Sequence, residues 1–265
     1  MIKLTNVYKV FFPNTSNEVL ALNNINLDLN PGDFITIIGS NGAGKSTFLK
    51  VLAGIELPDA GKVELAGKDV TAYPEYLRAK DIGRIDQDPL ASTASEMTIE
   101  ENLAMAYKRG QVRGLRWAIT SNKEKLFKEV LAEVGLGLEN RLRVPVRTLS
   151  GGQRQALALV MATLTEPKLL LLDEHTAALD PKTAKQIMDL TGKIVSSKKL
   201  TTLMITHNME QAIKFGNRLI MMHRGQLILD LGHEEKSMLT VPQLVERFST
   251  ASGTAFDDDR VLLAT

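Results

Sequence analysis

Gly39-Ser40-Asn41-Gly42-Ala43-Gly44-Lys45-Ser46-Thr47 has the residue types and spacing of a loop that cradles phosphate. Its glycines let the backbone turn its N–H groups toward one anion, and a helix that starts there adds positive partial charge. Lys45 would bridge β- and γ-phosphates, and the Ser46 hydroxyl would ligate Mg²⁺. Asp173-Glu174 is the second chemical feature, an acid pair directly after the apolar run Leu169 to Leu172. Asp173 would hold Mg²⁺ through water, and Glu174 would orient and polarise an attacking water. Phosphoryl transfer asks for little beyond such positioning and charge. Leu149-Ser150-Gly151-Gly152-Gln153 opens an apolar helix with a good N-cap serine and two glycines. That is a second anion-binding helix start, one more than a single nucleotide site in one chain uses.

The elements that must position these residues are legible as alternating runs. Phe34 to Ile38, Leu169 to Leu172 and Leu203 to Ile205 are short, continuous apolar runs. Runs of this kind suit central strands covered on both faces. Between them lie helical patterns: Ser46 to Leu52 after the glycine loop, and Asn122 to Val134 with Leu126, Phe127, Val130, Leu131 and Val134 on one face. The alternation predicts an α/β core. The first thirty residues and Lys62 to Leu65 read as an antiparallel flank. Leu90 to Thr165 has helix signal and little strand signal, as a helical subdomain inserted into the core. Asn217 to Leu231 reads as two strands around Arg224-Gly225, followed by a helix near Val241 to Phe248 and a loose tail from Ser249.

With these pieces in view the chain resembles the ATP-binding cassette (ABC) family. Leu149 to Gln153 matches that family's signature motif, and the other motifs stand in the family's order. Gln87, in Asp86-Gln87-Asp88-Pro89, matches the glutamine loop, whose Gln touches the metal and the attacking water. Ala178-Leu179-Asp180 matches the loop that follows the catalytic acid and crosses a dimer. His207 matches the switch histidine that contacts the γ-phosphate. The adenine-stacking aromatic matches best at Phe11, with Tyr8 and Phe12 as close competitors. The resemblance covers about residues 2–248. It implies a P-loop NTPase (RecA-like) core at 1–89 and 166–248, a helical signature subdomain at 90–165, and a tail at 249–265. It also implies ATP and Mg²⁺, the ion held by Ser46, Gln87 and Asp173. Two copies would sandwich two ATP molecules head to tail, each site combining one copy's residues 39–47, Asp173 and Glu174 with the other's Ser150, Gly151, Gly152 and Gln153.

One position departs from the family pattern. Proline usually follows the catalytic acid; here His175 does. Two readings stand: a residue that packs or hydrogen-bonds locally, or one that titrates near neutral pH and tunes Glu174.

Composition bounds the partners. Apolar and charged fractions of 44% and 24% are those of an ordinary globular protein and exclude a disordered or collagen-like chain. A net charge of +1 gives no whole-molecule attraction to nucleic acid or anionic lipid. The absence of cysteine suits a reducing compartment. No apolar run nears the ~18 to 20 residues of a membrane span, and Met1 to Asn6 does not read as a signal peptide, so the chain is expected to be cytoplasmic. Transport would then go through a separate permease. The stretch from Asp173 to Pro181 resembles a bacterial subgroup that accompanies a lipoprotein substrate-binding protein and a permease like those for branched-chain amino acids. Some members are associated with aromatic amino acids. The expected role is an importer ATPase on the cytoplasmic membrane face. Alternatives are an exporter or lipid-extracting ATPase, a soluble family member acting on nucleic acid or ribosomes, and a regulatory module that binds ATP without hydrolysis. His223 and His233 lack ligand spacing to any acidic cluster, so no zinc site is expected. The basic run Lys108 to Trp117 reads as a solvated face, and Asp257 to Asp259 as a frayed acidic tail.

Overall fold

Ile2, Leu4 and Val7 are buried while their neighbours on the strand are not, which is the alternation of a sheet with one face on a core. The computed structural model describes residues 1–88, 90–111 and 119–253. The chain falls into two compact units, Met1–Arg78 with Lys199–Thr265, and Ala79–Lys198.

In the first unit, β1 (Ile2–Phe11) pairs antiparallel with β2 (Val19–Leu29) and with β4 (Ala60–Leu65), and β4 with β5 (Lys68–Asp69). This is the expected antiparallel flank. β3 (Phe34–Gly39) is buried at all six positions and leads into α1 (Lys45–Ala53); a short helix α2 (Glu75–Arg78) ends this part of the unit. The second unit runs β6 (Ile82–Ile85), α3 (Ile99–Tyr107), α4 (Ser121–Ala132), α5 (Gly151–Thr163), β7 (Leu169–Asp173) and α6 (Pro181–Lys198). The chain then returns to the first unit with β8 (Thr202–Ile205), α7 (Met209–Lys214), β9 (Arg218–His223), β10 (Gln226–Leu231), α8 (His233–Ser237) and α9 (Val241–Ser252).

β8 and β9 flank β3 in parallel, and β9 and β10 form an antiparallel hairpin. Arg224 (φ 46) and Gly225 (φ 76) make its two-residue turn, both left-handed, as the twist of a tight hairpin demands. Ile38, Leu219 and Met221 from the strands pack with Met209 and Ala212 of α7 and with Leu244 and Phe248 of α9. In the second unit β6 and β7 run parallel, and Leu103, Phe127, Leu131 and Leu157 join α3, α4 and α5 in one core. Thr98 with Glu101 and Ser150 with Gln153 close capping boxes on α3 and α5, satisfying amides at the helix starts.

Helix α9 runs past the expected end at Phe248, because Thr240 caps its start and Gly253, at φ 65, ends it. Ser249 to Ser252 therefore belong to the helix and not to the tail. Residues 254–265, with Asp257 to Asp259, and residues 112–118 of the basic run lie outside the described residues.

Two buried cations staple the first unit. Arg78 donates to the carbonyls of Val51 and Leu52 (both 2.8 Å) at the end of α1, and to those of Tyr73 (2.7 Å) and Thr71 (3.1 Å). Lys236 donates to Thr36 Oγ1 (3.1 Å) and to the carbonyls of Phe215 and Arg218. Its acceptors are a hydroxyl and two carbonyls, and burial pushes its ammonium down to about 7.

Arg78→Leu leaves four carbonyls short of a donor. It is expected to cost roughly 3 kcal/mol, read as a lowered denaturant midpoint at constant slope. The depressed Lys236 sets a pH dependence. Between pH 7 and its ordinary value of 10.5 the unfolded chain carries the proton and the folded chain does not. Wild-type stability therefore rises with pH across that window relative to Lys236→Met, by up to about 1.4 kcal/mol per pH unit. A stability difference between the two proteins that is flat over pH 7 to 9.5 would contradict this.

Candidate functional site

The glycine loop of the first unit is shaped by what surrounds it. Gly39, Gly42 and Gly44 have φ of 154°, 76° and 94°, values that a side chain disfavours. A Cβ on Gly39 would lie 2.1 Å from the Met222 carbonyl oxygen, and one on Gly44 would lie 2.3 Å from that of Ala21. At Gly42 nothing lies within 4 Å, so the loop's middle is open where its ends are pinned. Gly225 N–H donates to the Ala43 carbonyl at 3.0 Å, and Ala43 N–H to that of Ser40 at 3.1 Å. Lys45 opens α1 and turns back over the loop, its Nζ donating to the carbonyls of Gly39 (2.7 Å) and Ser40 (3.0 Å). The expected loop residues Gly39 to Thr47, including Asn41, Ser46 and Thr47, thus form one continuous strand–loop–helix junction.

His207 is brought to this junction. Ile205 pairs with Ile37, and Thr206 N–H donates to the Ile37 carbonyl at 3.2 Å, so β8 runs out beside the strand that feeds the loop. Asn208 then caps α7, its side chain accepting from Gln211 N at 2.8 Å. Phe11 closes β1 and pairs with Val19, two residues along β2 from the Ala21 carbonyl that abuts Gly44. Its ring is half-buried, with the Lys9 ammonium 5.4 Å from its centroid. Phe12 stands exposed in a left-handed turn (φ 53). A residue that the sequence assigned no role also reaches the loop: His223 Nδ1 is 3.4 Å from Ser40 Oγ, and its ring meets Phe248 edge-on. Strand β9 carries it there, and no local motif announces it.

The second unit gathers the other residues. β6 and β7 pair from Ile82–Leu169 to Ile85–Leu172. Gln87, two residues past β6, therefore emerges at the same carboxyl end as Asp173 and Glu174. Ligands of open α/β sheets bind outside such strand ends. Glu174 has φ 46, a left-handed conformation that costs a non-glycine residue on the order of 1–3 kcal/mol. Its carbonyl accepts from Ala177 N–H at 2.9 Å, closing the turn.

At the start of α5, Ser150 Oγ accepts from Gln153 N and Gln153 Oε1 from Ser150 N, both at 3.2 Å. Arg141 adds a 3.3 Å bond to Gln153 Oε1. The glycines have a packing role as well: a Cβ on Gly152 would lie 2.3 Å from Thr183 Cγ2, and one on Gly151 3.3 Å from Leu179 Cδ2. Asp180 caps α6 through Thr183 N–H (3.1 Å). Hydrogen bonds from the Thr183 side chain and backbone hold its carboxyl below the usual range.

His175 is buried, and that burial pushes its imidazole down to about 4. Its Nε2 lies 3.0 Å from Thr191 Oγ1 on α6. The ring is neutral at physiological pH, so the local reading of this residue holds and titration near neutrality does not.

Comparisons with known proteins show the family. Residues 22–177 match the family described as ABC transporter. The tyrosine transport ATP-binding protein of Clostridioides difficile (strain R20291) is 42% identical over 95% of this chain and all of its own length. The methionine import ATP-binding protein MetN of Streptococcus pneumoniae serotype 4 is 35% identical over 96% of this chain and 71% of its own. Among solved structures, the ADP conformation of the cassette MJ1267 superposes with a TM-score of 0.76 at 28% identity, covering 94% of this chain and 98% of that one. A dimeric, post-hydrolysis state of the cassette MJ0796 with ADP and Pi gives 0.74 at 29%, covering 88% and 99%. The fold is that of the ABC ATPase cassettes, a P-loop NTPase fold, and the chain belongs to the ABC transporter family as one of its ATP-binding, ATP-hydrolysing subunits.

Proposed function

We propose that the chain energises bacterial uptake of a small solute such as an amino acid, working as a pair of copies on the cytoplasmic face of a membrane permease. The observation that carries this is the presence of two glycine-flanked helix starts, at Lys45 and after Ser150, in a chain with one phosphate loop. The relative named for methionine import supports the direction of transport, and the one named for tyrosine transport supports an amino acid as solute. Among the described residues no helix is long and apolar enough to cross a membrane, so the path for solute belongs to other chains. An extracytoplasmic substrate-binding protein fits an importer of this kind, and nucleic acid has no part in it. Residues 1–248 act as one ATPase domain.

In this reading the amides of residues 39–47 and the Lys45 ammonium bind the phosphates of ATP, while Phe11 stacks on its base. Ser46, Gln87 and Asp173 offer a hydroxyl, an amide carbonyl and a carboxylate, hard oxygen donors of the kind Mg²⁺ takes. The ion would supply charge neutralisation at the phosphates. Glu174 accepts a hydrogen bond from the attacking water and orients it, and His207 contacts the γ-phosphate. The water oxygen bonds to phosphorus as the bond to ADP breaks. Rate comes from placing these groups and from their charge, with no covalent step on the protein. The second copy contributes Ser150 to Gln153, with Asp180 beside the crossing. ATP held between the two copies closes the pair, and hydrolysis reopens it.

Glu174→Gln is expected to lower phosphate release at least about 100-fold while ATP still binds, with an ATP-dependent dimer accumulating on size-exclusion chromatography. Wild-type turnover in that variant would refute the role of Glu174. The transport assignment is tested by tagging the chain, purifying it from gently solubilised native membranes and identifying its companions by mass spectrometry. A polytopic permease with a lipoprotein is the expected result. Ribosomes, DNA or no partner would overturn the assignment.

A further inference from the structure

His175 follows the water-orienting carboxylate directly, yet no step of the reaction uses it. It is only 3% exposed, far more deeply set than Glu174 beside it. Its side-chain partner Thr191 fixes its hydrogen. Thr191 Oγ1 donates to the Ile187 carbonyl at 2.8 Å, four residues back along α6, and that bond consumes the hydroxyl's only proton. Toward His175 Nε2, 3.0 Å away, Thr191 is therefore an acceptor, and Nε2 carries the hydrogen.

The base of this contact is firm. Ile187, Met188, Thr191 and Val195 are the buried face of α6. The same helix presents Thr183 to the tight glycine of the signature turn. What the contact restrains is a strained residue: Glu174 sits at φ 46 between the end of β7 and the buried imidazole. Strained backbone of this kind persists only where its surroundings over-determine it. On one side the sheet does so, and on the other the Ala177–Glu174 turn bond and the buried ring. A proline at 175 would bias residue 174 toward extended backbone.

We propose that His175 is a positioning residue for Glu174: as an Nε2–H donor to Thr191 it pegs the 174–177 turn to α6 and keeps the catalytic carboxylate in its left-handed setting. This rests on the reading of Glu174 as the group that orients water. A small misplacement of that group is enough to cost a large factor in rate while leaving the phosphate loop's grip on ATP untouched.

The test uses the full chain, phosphate release as a function of ATP concentration, and four variants: Thr191→Val, Thr191→Ser, His175→Phe and Glu174→Gln. Thr191→Val keeps the volume and removes the acceptor; Thr191→Ser keeps the acceptor. The expected result is a fall in kcat of at least tenfold with KM unchanged in Thr191→Val and His175→Phe. Thr191→Ser stays within twofold of wild type, and the His175→Phe, Thr191→Val double variant is no slower than the slower single one. A kcat within twofold of wild type in Thr191→Val overturns the proposal. So does a loss shared equally by Thr191→Ser, or a KM that rises as kcat falls, since these mark a packing role. If His175→Phe does not fold, the Thr191 pair decides alone. Glu174→Gln separates the two layers: wild-type turnover there sinks the reading of the site, whereas loss there with none in Thr191→Val sinks only the role of His175.

Discussion

At two helix starts in this chain a neighbouring atom occupies the space a side chain would need. The Ala21 carbonyl stands 2.3 Å from where a Cβ of residue 44 would be, and Thr183 Cγ2 stands 2.3 Å from that of residue 152. Helix amides can face an anion only if the chain turns sharply just before them, and a sharp turn draws other chain segments close. Glycine resolves that conflict at residue 44, and at residue 152, inside the first turn of α5, it leaves room for Thr183. The rest of the architecture supplies the segments that crowd in. Strand β2 of the flank must pass the start of α1, β9 must pass the end of β3, and the start of α6 must pass the start of α5. The antiparallel flank is thus part of the phosphate loop's support as well as of the core.

The chemistry is distributed to match. In the proposed reading, anion-binding amides come from helix starts, where the backbone supplies positive partial charge without a titratable group. Acid and amide side chains come from the carboxyl ends of parallel strands, where β6 and β7 place Gln87, Asp173 and Glu174 together. Glu174 leaves its strand in a left-handed conformation next to a buried ring. Of the buried cations, Arg78 and Lys236 serve stability, whereas Lys45 belongs to the phosphate loop. Arg78 closes the far end of the helix whose start is the phosphate loop, and Lys236 ties α8 to Thr36 of β3 and to the end of α7.

What was legible in the sequence is what local pattern determines. The buried strands β3, β7 and β8, the glycine loop, the capped start of α5 and the Arg224-Gly225 hairpin each follow from a few adjacent residues. The order of the motifs then pointed to the family. The parts that were not legible depend on partners distant in the chain. Thr191 lies sixteen positions from His175, and nothing in either local sequence shows that one accepts from the other. Arg78 and Lys236 look like ordinary surface cations on short polar helices, and only the fold shows them enclosed by carbonyls. His223 was weighed as a metal ligand and set aside; pairing of β9 with β3 brings it to Ser40 instead. The end of α9 was misjudged because Ser249, Thr250 and Ser252 are poor helix formers held in place by a good start and a glycine stop.

The central claim is that one chain carries two complementary halves of a site, so that a working site takes one half from each of two copies. The most direct test mixes two inactive chains: Lys45→Ala, which lacks the phosphate-loop cation, and Ser150→Arg, whose bulk blocks the other helix start. Phosphate release is measured for each chain alone and for an equal mixture with ATP. The account predicts that each chain alone is inactive and that the mixture recovers turnover, because a mixed pair joins an intact loop to an intact signature. A mixture no more active than its parts, or a Ser150→Arg chain that turns over at the wild-type rate alone, would contradict it.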